Sequence, residues 1–431
     1  MKKKFYITTP IYYPSAKPHM GHAYSSISAD FIARYKRLEG YDVKFVTGTD
    51  EHGQKIQKSA EKRKLSPDVF CNEISKVFLE LTKTLNLSNT DFIRTTEDRH
   101  YKTVQRLWKI LEEKKFIYLS KYSGWYSVSD EAFYNENEII EKDNNKICKA
   151  TGSIVEWVEE ESYFFRLSEF QNILIKHYED NPEFIQPASR RNEVMSFVRG
   201  GLNDLSISRN SFKWGIPVPN SKDHIVYVWL DALTNYLTAT NYFEDNSSWP
   251  ADVHIIGKDI LRFHAVYWPA FLLAAEIPLP KKIFGHGWIL SGDEKMSKSK
   301  GNILDPVEIL NEFGLDEIRY YLMKEVMYGL DGKINIDNLK NCINSDLANN
   351  IGNLSQRIFV LINKYFSCKV PDPKSLSSDD QKLIQCPVDG LTKSMNSFEI
   401  HNYIREVISY SSRINKFVND EEPWTKAKNS D

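Results

Sequence analysis

The spacing of apolar positions changes several times along the chain, and each change predicts an element. Phe5 to Ile11 is an apolar run whose strand is expected to end near Thr9. Ile27, Phe31 and Leu38 then recur at helical spacing, which predicts a helix from about Gly21 to Glu39, stopped by Gly40. Asp42 to Val46 reads as a second strand, and helices continue to about Phe116. Strand, helix, strand in this order implies a parallel sheet with a ligand crevice at its strand C-termini. Thr47-Gly48-Thr49-Asp50-Glu51-His52-Gly53 falls at that crevice.

From about Phe116 to Val226 the pattern shifts to short aromatic strands and turns, such as Gly124-Trp125-Tyr126 and Tyr163-Phe164-Phe165. Parallel-sheet character is expected to return at Tyr227-Val228-Trp229 and at Val253-His254-Ile255-Ile256-Gly257, with a further short strand at Lys282-Ile283-Phe284. Beyond about Ile334 the apolar residues Leu347, Ile351, Leu354, Ile358, Leu361 and Ile362 keep a helical period, with no strand signal. The one linker candidate is Cys368 to Asp380, and no repeat is visible.

Composition narrows the classes. A chain of 431 residues exceeds one compact core. Hydrophobic content of 41% and charged content of 26% are those of an ordinary soluble protein. Net charge is -2, and from Asp331 onward 13 Lys/Arg face 13 Asp/Glu, so any contact with nucleic acid must come from local patches. Five dispersed cysteines without a CxxC pair point to free thiols and a reducing compartment. Met1-Lys2-Lys3-Lys4 leads straight into the first strand without an apolar signal region, and no apolar run approaches 18 residues. A cytoplasmic protein with no membrane segment is the expectation.

Two short strings carry the chemistry. His19-Met20-Gly21-His22 lies in a loop with Pro14 and Pro18, between the first strand and the first helix. Unpaired N–H groups and the helix dipole make such a place suited to phosphate. Lys295-Met296-Ser297-Lys298-Ser299 puts two ammonium groups on a loop bounded by Gly292 and Gly301, able to meet a phosphate chain. In this order, about 275 residues apart, the pair resembles the two signature motifs of class I aminoacyl-tRNA synthetases. The resemblance narrows to the methionyl-tRNA synthetases through six further strings: residues 8–13, 47–53, 214–219, 227–232, 256–264 and 285–288.

That resemblance implies an α/β fold. A Rossmann-type parallel-sheet catalytic domain would occupy 1–116 and 227–333, with a connecting subdomain inserted at 117–226. An all-α helical bundle that binds the anticodon would occupy 334–431, shortened relative to the family. It implies a ligase that activates L-methionine with ATP as methionyl-adenylate and transfers it to tRNA(Met), the initiator tRNA included. ATP would arrive with Mg²⁺. His19, Gly21 and His22 would meet the nucleotide, together with Lys258 and Asp259, and Lys295 and Lys298 would neutralise the leaving pyrophosphate. Asp50 would pair with the α-ammonium of methionine. Ile11, Tyr13, Trp229, Ala232, Leu233, Tyr236, Ile260 and His264 would line the thioether pocket, where sulfur over aromatic faces is favourable. Asn353 and Arg357, four apart on one helix face, and Trp424 would read and stack the anticodon bases. From the residues alone, Asp50 could equally cap a helix starting near Gly53, and the aromatics could be ordinary core.

Two departures stand out. Many relatives hold a structural zinc in the inserted subdomain, but here that stretch has only Cys148, so no zinc is expected and Trp125, Tyr126, Phe133 and Tyr134 should hold the knuckle by packing. The chain also stops seven residues after Trp424, where relatives continue. No appended dimerisation domain is visible, so a monomer is expected. An editing insertion of the leucyl, isoleucyl or valyl type would not fit between Asp50 and Trp214, and a cysteinyl enzyme would need zinc thiolates. A nucleotidyltransferase would usually lack the helical end, and the intact His and Lys motifs speak against a catalytically dead RNA-binding scaffold.

Overall fold

The computed structural model describes residues 2–142, 145–245, 248–291, 294–295, 305–370 and 377–428. The chain forms two compact units, Met1–His286 and Gly287–Asp431. At the centre of the first is a six-stranded sheet of β1 (Lys4–Tyr12), β2 (Asp42–Thr49), β3 (Asp91–Arg94), β4 (Ile185–Gln186), β5 (Val253–Gly257) and β6 (Ile283–His286). Their order across the sheet is β3-β2-β1-β5-β6-β4 and every pairing is parallel. The chain order reverses between β1 and β5, the place where open parallel sheets bind ligands.

Helix α1 (Met20–Leu38) follows β1 and buries Met20, Ala23, Tyr24, Ile27, Ile32 and Ala33. Its inward face differs from the predicted stripe, since Leu38 is 85% exposed in the last turn. β1 runs three residues past its predicted end. A register shift between Thr8 and Ile11 accommodates Pro10, which lacks an N–H for the ladder. β2 likewise continues to Thr49, so Asp50 stands just past the strand end.

The larger correction concerns Tyr227-Val228-Trp229. These residues open a helix, α4 (Val228–Thr238), rather than a parallel strand. Helices α2 (Gln54–Lys62) and α3 (Asp98–Glu113) precede it. Ten of the eleven residues of α4 are buried, so the apolar run shows no 3.6-residue alternation and imitates a strand interior.

Within 117–226 the chain builds a second, antiparallel sheet. Its centre is the long pair Ile117–Ser127 with Glu156–Phe165, flanked by Ala132–Tyr134 and Leu205–Ser206. The same stretch returns β4 to the main sheet, against β6. Phe165, Leu167, Phe170 and Leu174 are buried in one core with Leu230, Leu233 and Phe271, which seats this sheet on the main layer.

The second unit begins with a small sheet of Ile289–Ser291, Glu294–Lys295 and Gly332–Ile334, and its other described elements are helices. Helix Ile336–Cys342 runs on through a π-helical stretch, Ile343–Gly352, into α5 (Asn353–Tyr365). Within the π stretch Ile351 is exposed, unlike the rest of the predicted apolar stripe. Helix α6 (Ile400–Glu421) packs beside α5.

Candidate active site

Tyr12, the last residue of β1, joins two of the motifs. Its carbonyl accepts the Asp50 N–H at 2.9 Å, and its ring meets the His22 ring edge-on at 4.9 Å. Its hydroxyl also lies 3.2 Å from the His22 carbonyl. The histidine loop and the Asp50 loop therefore stand side by side at the β1 and β2 ends.

His19 caps α1. Its Nδ1 accepts from Gly21 N at 3.0 Å, while His22 Nδ1 accepts from His19 N at 3.0 Å. A neutral imidazole whose Nδ1 accepts carries its proton on Nε2, so both rings keep an N–H donor on the side away from the backbone. Gly21 also leaves room for this cap. A Cβ there would come within 2.8 Å of the His19 ring and break this cap.

Asp50 is buried, and its Oδ1 has no hydrogen-bond partner. Burial raises its proton affinity well above the ordinary carboxyl range, and the neighbouring Asp231, Glu131 and Glu51 charges raise it further. It is not a helix cap. α2 begins after Gly53, and that position makes no side-chain cap bond. A buried, under-satisfied carboxylate at a parallel-sheet crevice is suited to a cationic ligand group.

Glu51 beside it is fully engaged. It accepts Arg94 through Nε at 2.7 Å and Nη2 at 2.9 Å, and also Thr49, Ser75 and Thr96 hydroxyls. The next residue, His52, donates Nδ1 to Asp231 at 2.7 Å, and His100 on α3 reaches the other Asp231 oxygen at 2.7 Å. Burial alone would raise the Asp231 carboxyl, but the two imidazoles outweigh it and the net shift is downward. Glu51, His52, His100 and Asp231 thus lock the loop that presents Asp50. Sequence reasoning assigned these four no role, although three of them sit inside the quoted motif strings.

Six of the eight predicted thioether residues lie on α4 or the segment after β5, and Ile11 and Tyr13 lie at the end of β1. Trp229 stacks on Phe263 at 3.7 Å, and Tyr236 packs between His254 and Trp268. His264 Nδ1 lies 3.0 Å from the Ile260 carbonyl, which can only accept, so Nδ1 carries the proton. His264 Nε2 then accepts the Tyr236 hydroxyl proton at 2.7 Å. Burial pushes the His264 pKa down to about 4 and keeps the ring neutral. Ala232 and Leu233 are buried on α4, whereas Ile11, Tyr13 and Ile260 are half-buried. Phe263 belongs to this wall and went unassigned.

Lys258 and Asp259 form the turn after β5, and Gly257 permits it, because a Cβ there would meet Asp259 Oδ1 at 2.6 Å. In the second unit, Lys295 pairs with Leu290 across a short antiparallel ladder. Lys298 lies outside the described residues. Arg357 on α5 donates to Asn419 of α6 at 2.7 Å, and its guanidinium sits 5.0 Å over the Trp424 ring. Asn353 is exposed one turn earlier on α5.

The knuckle of the inserted sheet pairs Trp125 with Tyr134 and Tyr126 with Phe133. Its polar hub, unforeseen from sequence, is Asp130, which accepts the Tyr134, Thr151 and Ser153 hydroxyls at 2.8, 2.7 and 2.7 Å. Among the described residues, no group of three or more His, Cys, Asp or Glu side chains is arranged to hold a metal ion.

A family model described as tRNA synthetases class I (M) matches residues 5–359. A methionine–tRNA ligase of Listeria monocytogenes is 49% identical over 446 residues, covering 100% of this chain and 67% of the relative. One of Rhizobium meliloti is 49% identical over 432 residues, covering 98% of this chain and 84% of the relative. The solved Mycobacterium tuberculosis methionyl-tRNA synthetase in complex with methionyl-adenylate superposes with a TM-score of 0.95 at 46% identity, over 99% of this chain and 85% of that one. Its apo form gives 0.88 at 42% identity, over 99% of this chain and 84% of that one.

Proposed function

Since the chain belongs to the class I (M) tRNA synthetase family, we infer that it is a methionine–tRNA ligase. It activates L-methionine with ATP and charges tRNA with the product. The methionine carboxylate, already ionised at neutral pH, attacks the α-phosphorus of ATP and expels pyrophosphate. A ribose hydroxyl at the tRNA 3′ end then attacks the carbonyl of the adenylate, and AMP leaves. Positioning and charge stabilisation carry both steps, and the first needs no general base.

The observation that carries this reading is the buried Asp50 carboxylate with its unpartnered Oδ1, a counter-charge for the amino acid's ammonium. The Trp229, Tyr236 and His264 wall, together with Ile11, Tyr13, Ala232, Leu233 and Ile260, takes the thioether. The Nε2–H groups of His19 and His22 bond the phosphates of ATP, which arrives as its magnesium complex, and Lys258 and Asp259 border the nucleotide. Lys295 and Lys298 neutralise the departing pyrophosphate. Asn353 and Arg357 read anticodon bases, including those of the initiator tRNA, and Trp424 stacks them. The residue roles, the monomeric state, the cytoplasmic location and the zinc-free knuckle are all part of this proposal. The domain division at 116, 226 and 333 belongs to it as well.

The test is ATP–pyrophosphate exchange with each of the twenty amino acids in turn. Exchange with methionine alone is expected. Exchange with a different amino acid would overturn the pocket, and silence with all twenty would overturn the activity.

A further inference from the structure

The side chain of Glu131 joins the inserted sheet to the amino-acid end of the site. Glu131 sits in the turn between strands Ile117–Ser127 and Ala132–Tyr134, buried, with a left-handed φ of 50°. A non-glycine residue held in that region is strained unless its surroundings require it. Here they do. Oε1 accepts the Lys55 backbone N–H at 2.8 Å and lies 3.1 Å from the Tyr13 hydroxyl, which also reaches the His52 carbonyl at 2.7 Å. Oε2 accepts the Tyr126 hydroxyl, and the Glu131 carbonyl accepts the Tyr227 hydroxyl at 2.8 Å.

Lys55 stands in the first turn of α2, a helix without a side-chain cap of its own. Glu131 supplies that negative group from another sheet, at the helix end where it is favourable. Gly53, at φ 105°, makes the approach possible, because a Cβ there would lie 2.9 Å from Glu131 Oε1. One carboxylate thus holds the C-terminal side of the loop that carries Asp50, directly at Lys55 and through Tyr13 of the thioether wall at His52.

We propose that Glu131 is a positioning residue that latches the inserted sheet onto the methionine end of the site and sets the affinity for the amino acid. The inference rests on the reading of Asp50 and Tyr13 as methionine contacts.

The test is steady-state ATP–pyrophosphate exchange on the full chain, with a thermal melt of each variant. Glu131→Ala should raise the KM for methionine by about 10- to 100-fold, the effect of losing charge-assisted buried bonds. The KM for ATP should stay put, and kcat should remain within about threefold. Glu131→Gln, still able to accept from Lys55 and Tyr13, should recover most of the loss. Tyr126→Phe, which frees Oε2, should shift the methionine KM the same way by less, and it carries the test with Glu131→Gln should the alanine variant not fold. Parallel rises in both KM values, a loss confined to kcat, a glutamine variant as poor as alanine, or unchanged constants throughout would each overturn the latch. Wild type showing no methionine-dependent exchange would instead overturn the reading beneath it.

Discussion

Asp50 raises the free energy of the folded chain, because its carboxylate is withheld from water with one oxygen unpaired. Its folded pKa lies above the unfolded one. Stability from the retained proton is therefore present below the unfolded pKa and lost as pH rises through the folded value. Asp50→Asn should accordingly stabilise the free chain by about 1–3 kcal/mol at neutral pH and by little near pH 4. Denaturant unfolding at the two pH values checks this, and methionine-dependent exchange should disappear in the same variant. His264 has the opposite history, since its pKa falls from 6.5 to about 4 on folding. It keeps its full contribution above 6.5 and loses it as pH drops toward 4. Asp50 and the histidine pair were legible because short motifs name them. Glu131 and Phe263 were not, because Lys55, Tyr13 and Trp229 lie far off in sequence and no local pattern records the meeting.

Among elements, the two helices read differently from sequence, α1 and α4, diverge for opposite reasons. α1 intersperses its apolar residues with Ser25, Ser26, Ser28 and Asp30, which keeps a helical period legible, though Leu38 in its last turn faces solvent. α4 lies between α3 and β1, buried on nearly every side, and so loses the alternation by which helices are recognised. At α5 the geometry carries a prediction. Trp424 lies under the Arg357 guanidinium, ready to extend a stack to an unpaired base. Trp424→Ala should leave adenylate formation intact and weaken tRNA charging about 5- to 150-fold, the worth of one stacked base. Comparing exchange with aminoacylation on the same preparation decides it, and equal losses in both would make Trp424 structural.

At the scale of the molecule, the inserted sheet is held by aromatic pairing and by the Asp130 hydroxyl hub. In the zinc-free proposal, these hydrogen bonds and this packing hold the knuckle without a metal. A zinc-selective chelator, with magnesium in excess, should shift neither the melting temperature nor methionine-dependent exchange, and a loss of either would restore zinc to the knuckle. The sequence alone determined the βαβ start, the helical C-terminal region and the motif residues, because those depend on local period and on short contiguous chemistry. The tertiary structure decided which strand Pro10 interrupts, that residues 228–238 form a helix, and that β4 returns to the main sheet from the inserted stretch. It also decided which carboxylates near Asp50 are satisfied and which is not. Charge, burial and hydrogen bonding at one point are summed over residues from distant parts of the chain, and only folding brings those parts together.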